Sequence, residues 1–479
     1  MVMPNFSLAA PEIFIFSMAC AILLIDLFLS DERRYISYVL SQLTLVGAAV
    51  LSWMGMGVEA QQTFSGMFIH DQMASVLKLV IYMVIFFVFT YSREYLTIRG
   101  MFRGEYFVIG LLGVVGMMVM VSASHFLTLY MGLELMSLCL YAMIAMQRDS
   151  ATATEAAMKY FILGALASGM LLYGMSMLYG VTGSLNISEV QAAVSKLDIS
   201  SNMPLVLGLV FVVVALAFKL GAVPFHMWVP DVYHGAPTAV SAYISSAPKL
   251  AAFALIMRLL VGGLSDLVAD WQSMLIILAI LSMGAGNLMA IAQTNIKRML
   301  AYSAISHMGF FLLGIIAAGP NGYSSSMTYV MFYVVMSMGA FGVVMLLSRD
   351  GHEAEQLDDF KGLNQRRPWY AFIMLVLMFS MAGVPPTAGF YAKLMVVQSV
   401  IAADMLWLAI VSVLFAVIGV FYYLRIVKLM YFDDASDTTE IKPRPAFSAL
   451  LSVNALALLV AMLWAGNVTE LCRSAIAAL

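Results

Sequence analysis

Runs of about twenty apolar residues, separated by short polar links, repeat along almost the whole chain, and a run of that length crosses a bilayer core roughly 30 Å thick. The rule predicts about fourteen spans, at roughly 8–30, 35–56, 72–92, 105–122, 125–146, 155–180, 204–224, 238–262, 271–292, 297–317, 324–348, 368–400, 404–430 and 446–466. Nothing between them reads as a soluble domain; the longest polar links are 186–202, 349–367 and 433–444. Two spans are interrupted by proline in a similar way. One holds Phe218-Lys219-Leu220-Gly221-Ala222-Val223-Pro224. The other holds Ala382-Gly383-Val384-Pro385-Pro386, followed by Gly389-Phe390-Tyr391-Ala392-Lys393. Proline removes a backbone donor, and irregular backbone at membrane depth persists only where it is buried in protein or lines a cavity. The fold expected is an all-α polytopic membrane protein with broken helices 7 and 12.

The links carry a charge bias. Sixteen lysines and arginines, among them Arg33, Arg99, Arg103, Arg148, Arg349 and Lys442, fall on one set of alternate links, against Lys196, Arg258 and Arg473 on the other. Cytoplasmic loops hold the excess, so both termini are expected on the periplasmic side. No lysine or arginine precedes the first apolar run, so it reads as a retained span rather than a signal peptide. Pro224 and Pro385 lie 161 positions apart (385 − 224), which is five spans. An odd number of spans reverses direction, which is the pattern of an inverted-topology repeat. The division expected is a three-helix segment 1–104, a first five-helix repeat 105–262, an inverted second repeat 263–431, and a last span within 432–479. The side chains are not duplicated with the backbone, because Lys219 precedes its break and Lys393 follows its own.

Composition narrows the chemistry. The chain is 63% hydrophobic and 11% charged, against roughly 25% charged in soluble domains. A net charge of −3 without a basic patch offers nothing to nucleic acid. Cys20, Cys139 and Cys472 are isolated, so neither an iron–sulfur cluster nor a zinc ribbon is supported. His226 and His234, without nearby carboxylates or cysteines, make a poor metal site. No phosphate-binding or dinucleotide glycine motif is present. The glycines of 110–116 suit helix packing, and the 40 methionines suit an irregular core. No cofactor or metal is expected in the chain itself.

Ionisable residues inside the spans remain. At 1.5 Å per residue, Glu134 lies roughly 14 Å into span 5 and Lys249 roughly 16 Å into span 8. His307 falls near the midplane and Lys219 just before its break. Lys78 and Lys159 are close enough to helix ends to snorkel. For Lys219, Lys249 and Lys393 the plain alternative is a structural ion pair, for Glu134 a partner to one of them, and for His307 a packed core position. An acid, two lysines and a histidine at one depth are hard to explain by packing alone. A buried lysine whose acidic partner approaches or retreats can load and release a proton. Water can enter around the unwound segments 221–224 and 383–389. Lys393, at the start of a half-helix, should meet the positive dipole end there. Moving a charge against the field costs about 2.3 kcal/mol per 100 mV, so an energy source is required.

On these residues the chain resembles the antiporter-like membrane subunits of respiratory complex I, the proton-translocating NADH-quinone oxidoreductase. The segment from Phe218 to Val240, continuing to Pro248-Lys249, is similar to that family's signature over spans 7 and 8. Met131-Gly132-Leu133-Glu134-Leu135, Ile296-Lys297-Arg298 with Ser306-His307, and Gly383-Val384-Pro385-Pro386 with Gly389 to Lys393 match further family motifs. The resemblance covers nearly the whole chain. It implies that Glu134 and Lys219 form a modulating ion pair and that Lys249 is the central proton carrier. Lys393 would be the terminal lysine toward the periplasm, with Lys159 and His307 as auxiliary relay residues. Lys393 in place of glutamate argues against the M-type branch, and the end at Leu479 against the L-type branch with its long lateral helix. Pro248, directly before Lys249, could kink span 8. The resemblance further implies a place in the bacterial inner membrane beside an M-type subunit and small K- and J-type subunits. NADH, FMN, iron–sulfur clusters and quinone would be held by partner subunits. The rival functions are the membrane subunit of a multi-subunit cation/proton antiporter and a scaffold that does not conduct.

Overall fold

The computed structural model describes residues 3–199, 202–435 and 443–477, so Lys442 lies outside the described residues. Among the described residues thirteen helices are long and apolar enough to cross a membrane. The shorter helices Pro368–Ala382 and Ala388–Ala402 follow each other and together make one more crossing, the twelfth of fourteen. The number and order agree with the hydrophobic pattern. Many spans begin where polar side chains meet the first free amide groups. Asp71 Oδ1 accepts from Ala74 N–H (2.8 Å) at span 3, Gln72–Ile98. Ser150 does so for span 6, Ala151–Thr182, Asn202 for span 7, Met203–Leu220, and Asn295 for span 10, Ile296–Ile316.

Burial sorts the spans by position. Over its most apolar 18 residues span 10 is wholly buried and span 8, Thr238–Gly263, 94% buried, whereas the same stretches of span 13, Leu406–Phe432, and span 14, Pro445–Ala477, fall to 33% and 28%. Spans 8 and 10 are therefore the centre, and the late spans present their apolar sides outward. The two repeats share one close crossing. A Cβ on Gly116 of span 4, Gly104–Val121, would sit 2.5 Å from Met136 N on span 5, Phe126–Ile144. In the second repeat, a Cβ on Gly286 of span 9, Ser265–Ile291, would sit 2.7 Å from Ser306 N on span 10. Only glycine lets these backbones approach so closely.

Span 8 is not one helix. It runs as Thr238–Ile244, breaks at 245–246, continues as Ala247–Ile256 and ends in a π-helical stretch, Met257–Gly263. Pro248 sits in the first turn of the middle piece, where a missing N–H costs nothing. Ser245 and Ser246 each donate a hydroxyl to Ala242 O, at 3.2 and 2.6 Å, and so satisfy a carbonyl the break frees.

Three features depart from the hydrophobic pattern. A hairpin pairs Gln61–Thr63 with Phe68–His70, and three-residue strands are too short to show an alternation. The link 186–202 contains a helix, Ile187–Val194, with only one face buried. The last helix reaches Ala477 rather than ending near residue 466. Its apolar run lapses at Asn467, Glu470 and Arg473, yet Thr469, Cys472, Ala475 and Ile476 keep one buried stripe.

The crossing predicts a contrast between glycines. Gly116→Leu or Gly132→Leu forces spans 4 and 5 apart against backbone, a strain at the upper end of overpacking, about 3 kcal/mol. Gly169→Leu faces open space. The expected result is little subunit recovered in membranes for the first two and near-normal recovery for the third, read by quantitative immunoblot.

Candidate functional site

Both broken helices end their first half alike. Span 7 stops at Leu220 and turns through Gly221 at φ 76°, and span 12 stops at Ala382 and turns through Gly383 at φ 82°. A left-handed glycine closes the helix and leaves the next residues free of it. The interruptions cover 221–227, before the short helix Trp228–Gly235, and 383–387. Side chains fix their surroundings, since Val223 N–H in the first interruption donates to Ser282 Oγ (2.9 Å) and Gly389 N–H, in the first turn after the second, donates to Ser380 Oγ (3.1 Å).

Each stopped helix leaves carbonyls without an intrahelical partner, and in each case a lysine supplies the donor. Lys249 Nζ donates to Leu220 O at 2.7 Å. Lys393 Nζ donates to Met381 O at 3.0 Å and Ala382 O at 2.9 Å. Lys297, counted with the loop cations by its sequence position, is buried instead. Its Nζ donates to Ala236 O (2.7 Å), at the end of the short helix after the first break. The placement of Lys393 reverses one expectation. Its side chain reaches back to the carbonyl end of the preceding half-helix, so the ammonium meets the negative end of a dipole and not the positive end of its own helix.

Lys219 and Lys249 both line a cavity of about 10 Å³, also lined by Leu133, Met136, Trp228 and Pro248. That volume is near the lower limit for one water molecule. The Trp228 ring lies 5.7 Å from Lys249 Nζ and stacks on Tyr160 at 4.5 Å. The expected Glu134–Lys219 ion pair is not closed here. Lys219 Nζ donates to Ser137 Oγ (2.9 Å), one helical turn beyond Glu134, and Glu134 Oε1 is buried without a hydrogen-bond partner.

In the second repeat His307 Nδ1 contacts Tyr329 OH at 2.7 Å and its Nε2 contacts Tyr423 OH at 3.1 Å. Tyr423 OH lies 2.5 Å from Ser303 Oγ. Tyr329 is on span 11, Pro320–Leu347, and Tyr423 on span 13, so three spans share this buried hydroxyl–imidazole chain. Lys393 lies over the ring of Phe310, one turn along span 10 from His307, at 5.0 Å. Phe253, one turn from Lys249, meets Phe311 of span 10 edge-on at 6.0 Å. Span 10 therefore packs against the helices of both capping lysines.

Lys159 stands apart from this group. It is partly exposed and pairs with Glu155 (2.7 Å) and Asp231 (2.8 Å), and Asp231 also holds Arg298 (2.9 Å). Asp231 lies on the short helix after the first break. On the same face Glu353 takes Arg99, Tyr95 OH (3.0 Å) and Thr238 Oγ1, and His234 Nε2 lies 3.6 Å from Glu355. Lys78 does not snorkel, being buried against Glu12 at 2.5 Å. The sequence reading missed Asp231, Glu353, Tyr329, Tyr423 and Glu12. For Asp231 and Glu12 a signal was available, as carboxylates in or beside apolar runs. For the two tyrosines there was none, since tyrosine at helical spacing is ordinary core. Among the described residues no group of His, Cys, Asp and Glu could hold a metal ion.

The family described as "NADH:quinone oxidoreductase/Mrp antiporter, TM" matches residues 123–419. The chain is 57% identical over 473 residues to NADH-quinone oxidoreductase subunit N of Thioalkalivibrio sulfidiphilus, covering 99% of this chain and 98% of that one. It is 58% identical over 455 residues to the same subunit of Thiobacillus denitrificans, covering 95% and 94%. Among solved structures, a chain of respiratory complex I from Thermus thermophilus matches with a TM-score of 0.82 at 28% identity, over 96% of this chain and 98% of that one. A chain of the Mrp complex from Dietzia matches with a TM-score of 0.84 at 20% identity, over 98% and 97%, a likeness of fold alone. With its fourteen crossings and two lysine-capped breaks, the chain belongs to the subunit N family of NADH-quinone oxidoreductase, within the antiporter-like membrane subunits of complex I.

Proposed function

We propose that the buried lysines of the two repeats, with Glu134 and His307, form one proton relay in which Lys249 is the central carrier. The chain is a proton-pumping membrane subunit of NADH-quinone oxidoreductase, and other subunits of the complex are its partners. The observation that carries the relay is the pair of lysine caps. Lys249 and Lys393 hold their ammonium groups against helix ends at the two breaks, where a small movement of the half-helix changes how well the charge is held. Lys219 and Lys249 both line one cavity near the volume of a single water molecule, which supports a water-mediated step between them. Glu134, with an oxygen left unpartnered, is free to draw Lys219 away from Ser137 and so to modulate it. His307, touching a hydroxyl on each ring nitrogen, can accept a proton on one side and release one on the other. Lys159, at the Asp231–Arg298 network, takes a place on the uptake side.

Further parts of the reading stand with this one. The loop-charge bias supports uptake from the cytoplasm, both termini in the periplasm and the bacterial inner membrane as location. The repeats are assigned to 105–262 and 263–431, after the segment 1–104 and before the last span. The chain is assigned no redox centre, and NADH, FMN, iron–sulfur clusters and quinone to partner subunits. An M-type subunit and the small K- and J-type subunits are its proposed neighbours. Identity of 57% over almost the whole chain favours this reading over an Mrp-type antiporter, where the likeness is one of fold.

Three outcomes test the relay. Lys249→Ala in the assembled complex should lower NADH-driven proton pumping severalfold, and Lys249→Arg should also impair it, because a guanidinium does not release its proton. Normal pumping with intact assembly, followed with a pH-sensitive dye in membrane vesicles, removes Lys249 from the path. If Glu134 acts through Lys219, the double change Glu134→Gln/Lys219→Met should pump no worse than the worse single variant, whereas additive losses mean independent roles. Gly383→Ala places a Cβ 2.8 Å from Lys393 Cδ, in a left-handed turn. It should push Lys393 off its carbonyls and reduce pumping, while Gly180→Ala, with open space around it, serves as the neutral control.

A further inference from the structure

Beyond Lys249, toward the face on which the chain begins, the way out along span 8 is closed by charge and not by apolar side chains alone. Nine positions after Lys249 (258 − 249), in the π-helical stretch Met257–Gly263, Arg258 is 5% exposed. Its Nη1 lies 2.6 Å from Asp71 Oδ2, and its Nε and Nη2 donate to Val121 O at 3.2 and 3.0 Å. Asp71 caps the start of span 3 and Val121 ends span 4, so one guanidinium ties together three helix ends. A second pair lies toward the same face. Lys78 and Glu12 are 2.5 Å apart, with side chains 2% and 7% exposed, and the ring of Phe68 faces the ammonium at 5.2 Å. Phe68 belongs to the hairpin, which is fastened to the link after span 4 by Ile69 N–H donating to Ser122 O (2.8 Å).

Four buried charges are an expensive way to fill space, since well-packed apolar side chains would do it as well or better. What charge adds is a barrier to a proton. A guanidinium keeps its own proton and repels another cation, and fixed arginines exclude protons from some pores in this way. Asp71 makes the cation tolerable in the interior, its Oδ1 accepting from Ala74 N–H and its Oδ2 held in the ion pair with the guanidinium.

We infer that the Arg258–Asp71 pair, backed by Lys78–Glu12 and the hairpin, is an insulating plug that blocks direct proton exchange between Lys249 and the solution on the chain's starting face. A proton held at Lys249 then leaves only sideways, toward span 10 and the second repeat. The inference rests on Lys249 being a carrier.

The test uses the whole complex in sealed vesicles, with NADH oxidation and the decay of an imposed pH gradient without NADH measured on the same preparation. Arg258→Met and Asp71→Asn each leave a buried group without its partner, which draws in water. In assembled complexes NADH oxidation should stay near the parental rate, while the gradient decays severalfold faster. Arg258→Lys, which keeps the charge, should leak less than Arg258→Met. Adding Lys249→Met to Arg258→Met should close the leak. A leak that persists in that double variant keeps the plug and removes Lys249 from the route, so the two readings fail separately. Unchanged decay in assembled Arg258→Met and Asp71→Asn complexes overturns the plug. If neither assembles, Glu12→Gln and Lys78→Met read the same leak, and tight vesicles there overturn it.

Discussion

A helix that stops inside a membrane leaves carbonyl groups facing a medium with no donors to offer, and spans 7 and 12 of this protein stop there. The rest of the arrangement follows from how those carbonyls are satisfied. Leu220 O takes Lys249, and Met381 O and Ala382 O take Lys393. A hydrogen bond to a charged group contributes roughly 1.5–3 kcal/mol. Insertion scales put a lysine at mid-bilayer at roughly 2.5–3.5 kcal/mol. The two magnitudes are close enough that break and lysine offset one another. Together they leave a cation held by dipole ends that a modest helix movement can weaken.

That dependence explains the shape of span 8. A straight helix would have no free carbonyls of its own at mid-depth and no reason to pause at Lys249. Here the lysine sits on a ten-residue piece, Ala247–Ile256, with a break on one side and a π-helical stretch on the other. Serines make good the carbonyl freed at the break, and Arg258 in the π-helical stretch reaches the end of span 4. The segment carrying the central lysine is thus held at both ends and enclosed almost completely.

The two faces around spans 7 and 8 are unlike. Toward one face Asp231, Arg298, Lys159, Glu353 and His234 form a partly exposed belt around the short helix that follows the first break. Toward the other, Arg258, Asp71, Lys78 and Glu12 are buried in ion pairs, with Glu12 Oε2 left without a hydrogen-bond partner. Exposed ion pairs exchange partners at little cost, whereas breaking a buried one is costly. On the relay and plug proposed above, the belt suits traffic with solution and the buried pairs suit its exclusion.

The sequence by itself determined the fourteen crossings, because hydrocarbon thickness sets a length that any apolar run must meet. It also determined both interruptions, since Gly221 with Pro224 and Gly383 with Pro385-Pro386 deny the helix its backbone whatever surrounds them. Lysines at depth were equally legible at 219, 249 and 393, as charge in an apolar run needs no structure to be noticed. What each lysine touches was not. Lys393 lies at the start of one half-helix yet caps the end of another, because a long flexible stem lets the ammonium reach over the turn. Glu134 and Lys219 form no ion pair, and the ammonium donates to Ser137 instead. Arg258, counted with the loop cations, is an interior residue because Asp71, 187 positions earlier (258 − 71), is folded against it. Hydrophobic length and backbone chemistry are local properties of a chain, whereas the partner of a buried charge is set by which helices the tertiary structure brings side by side.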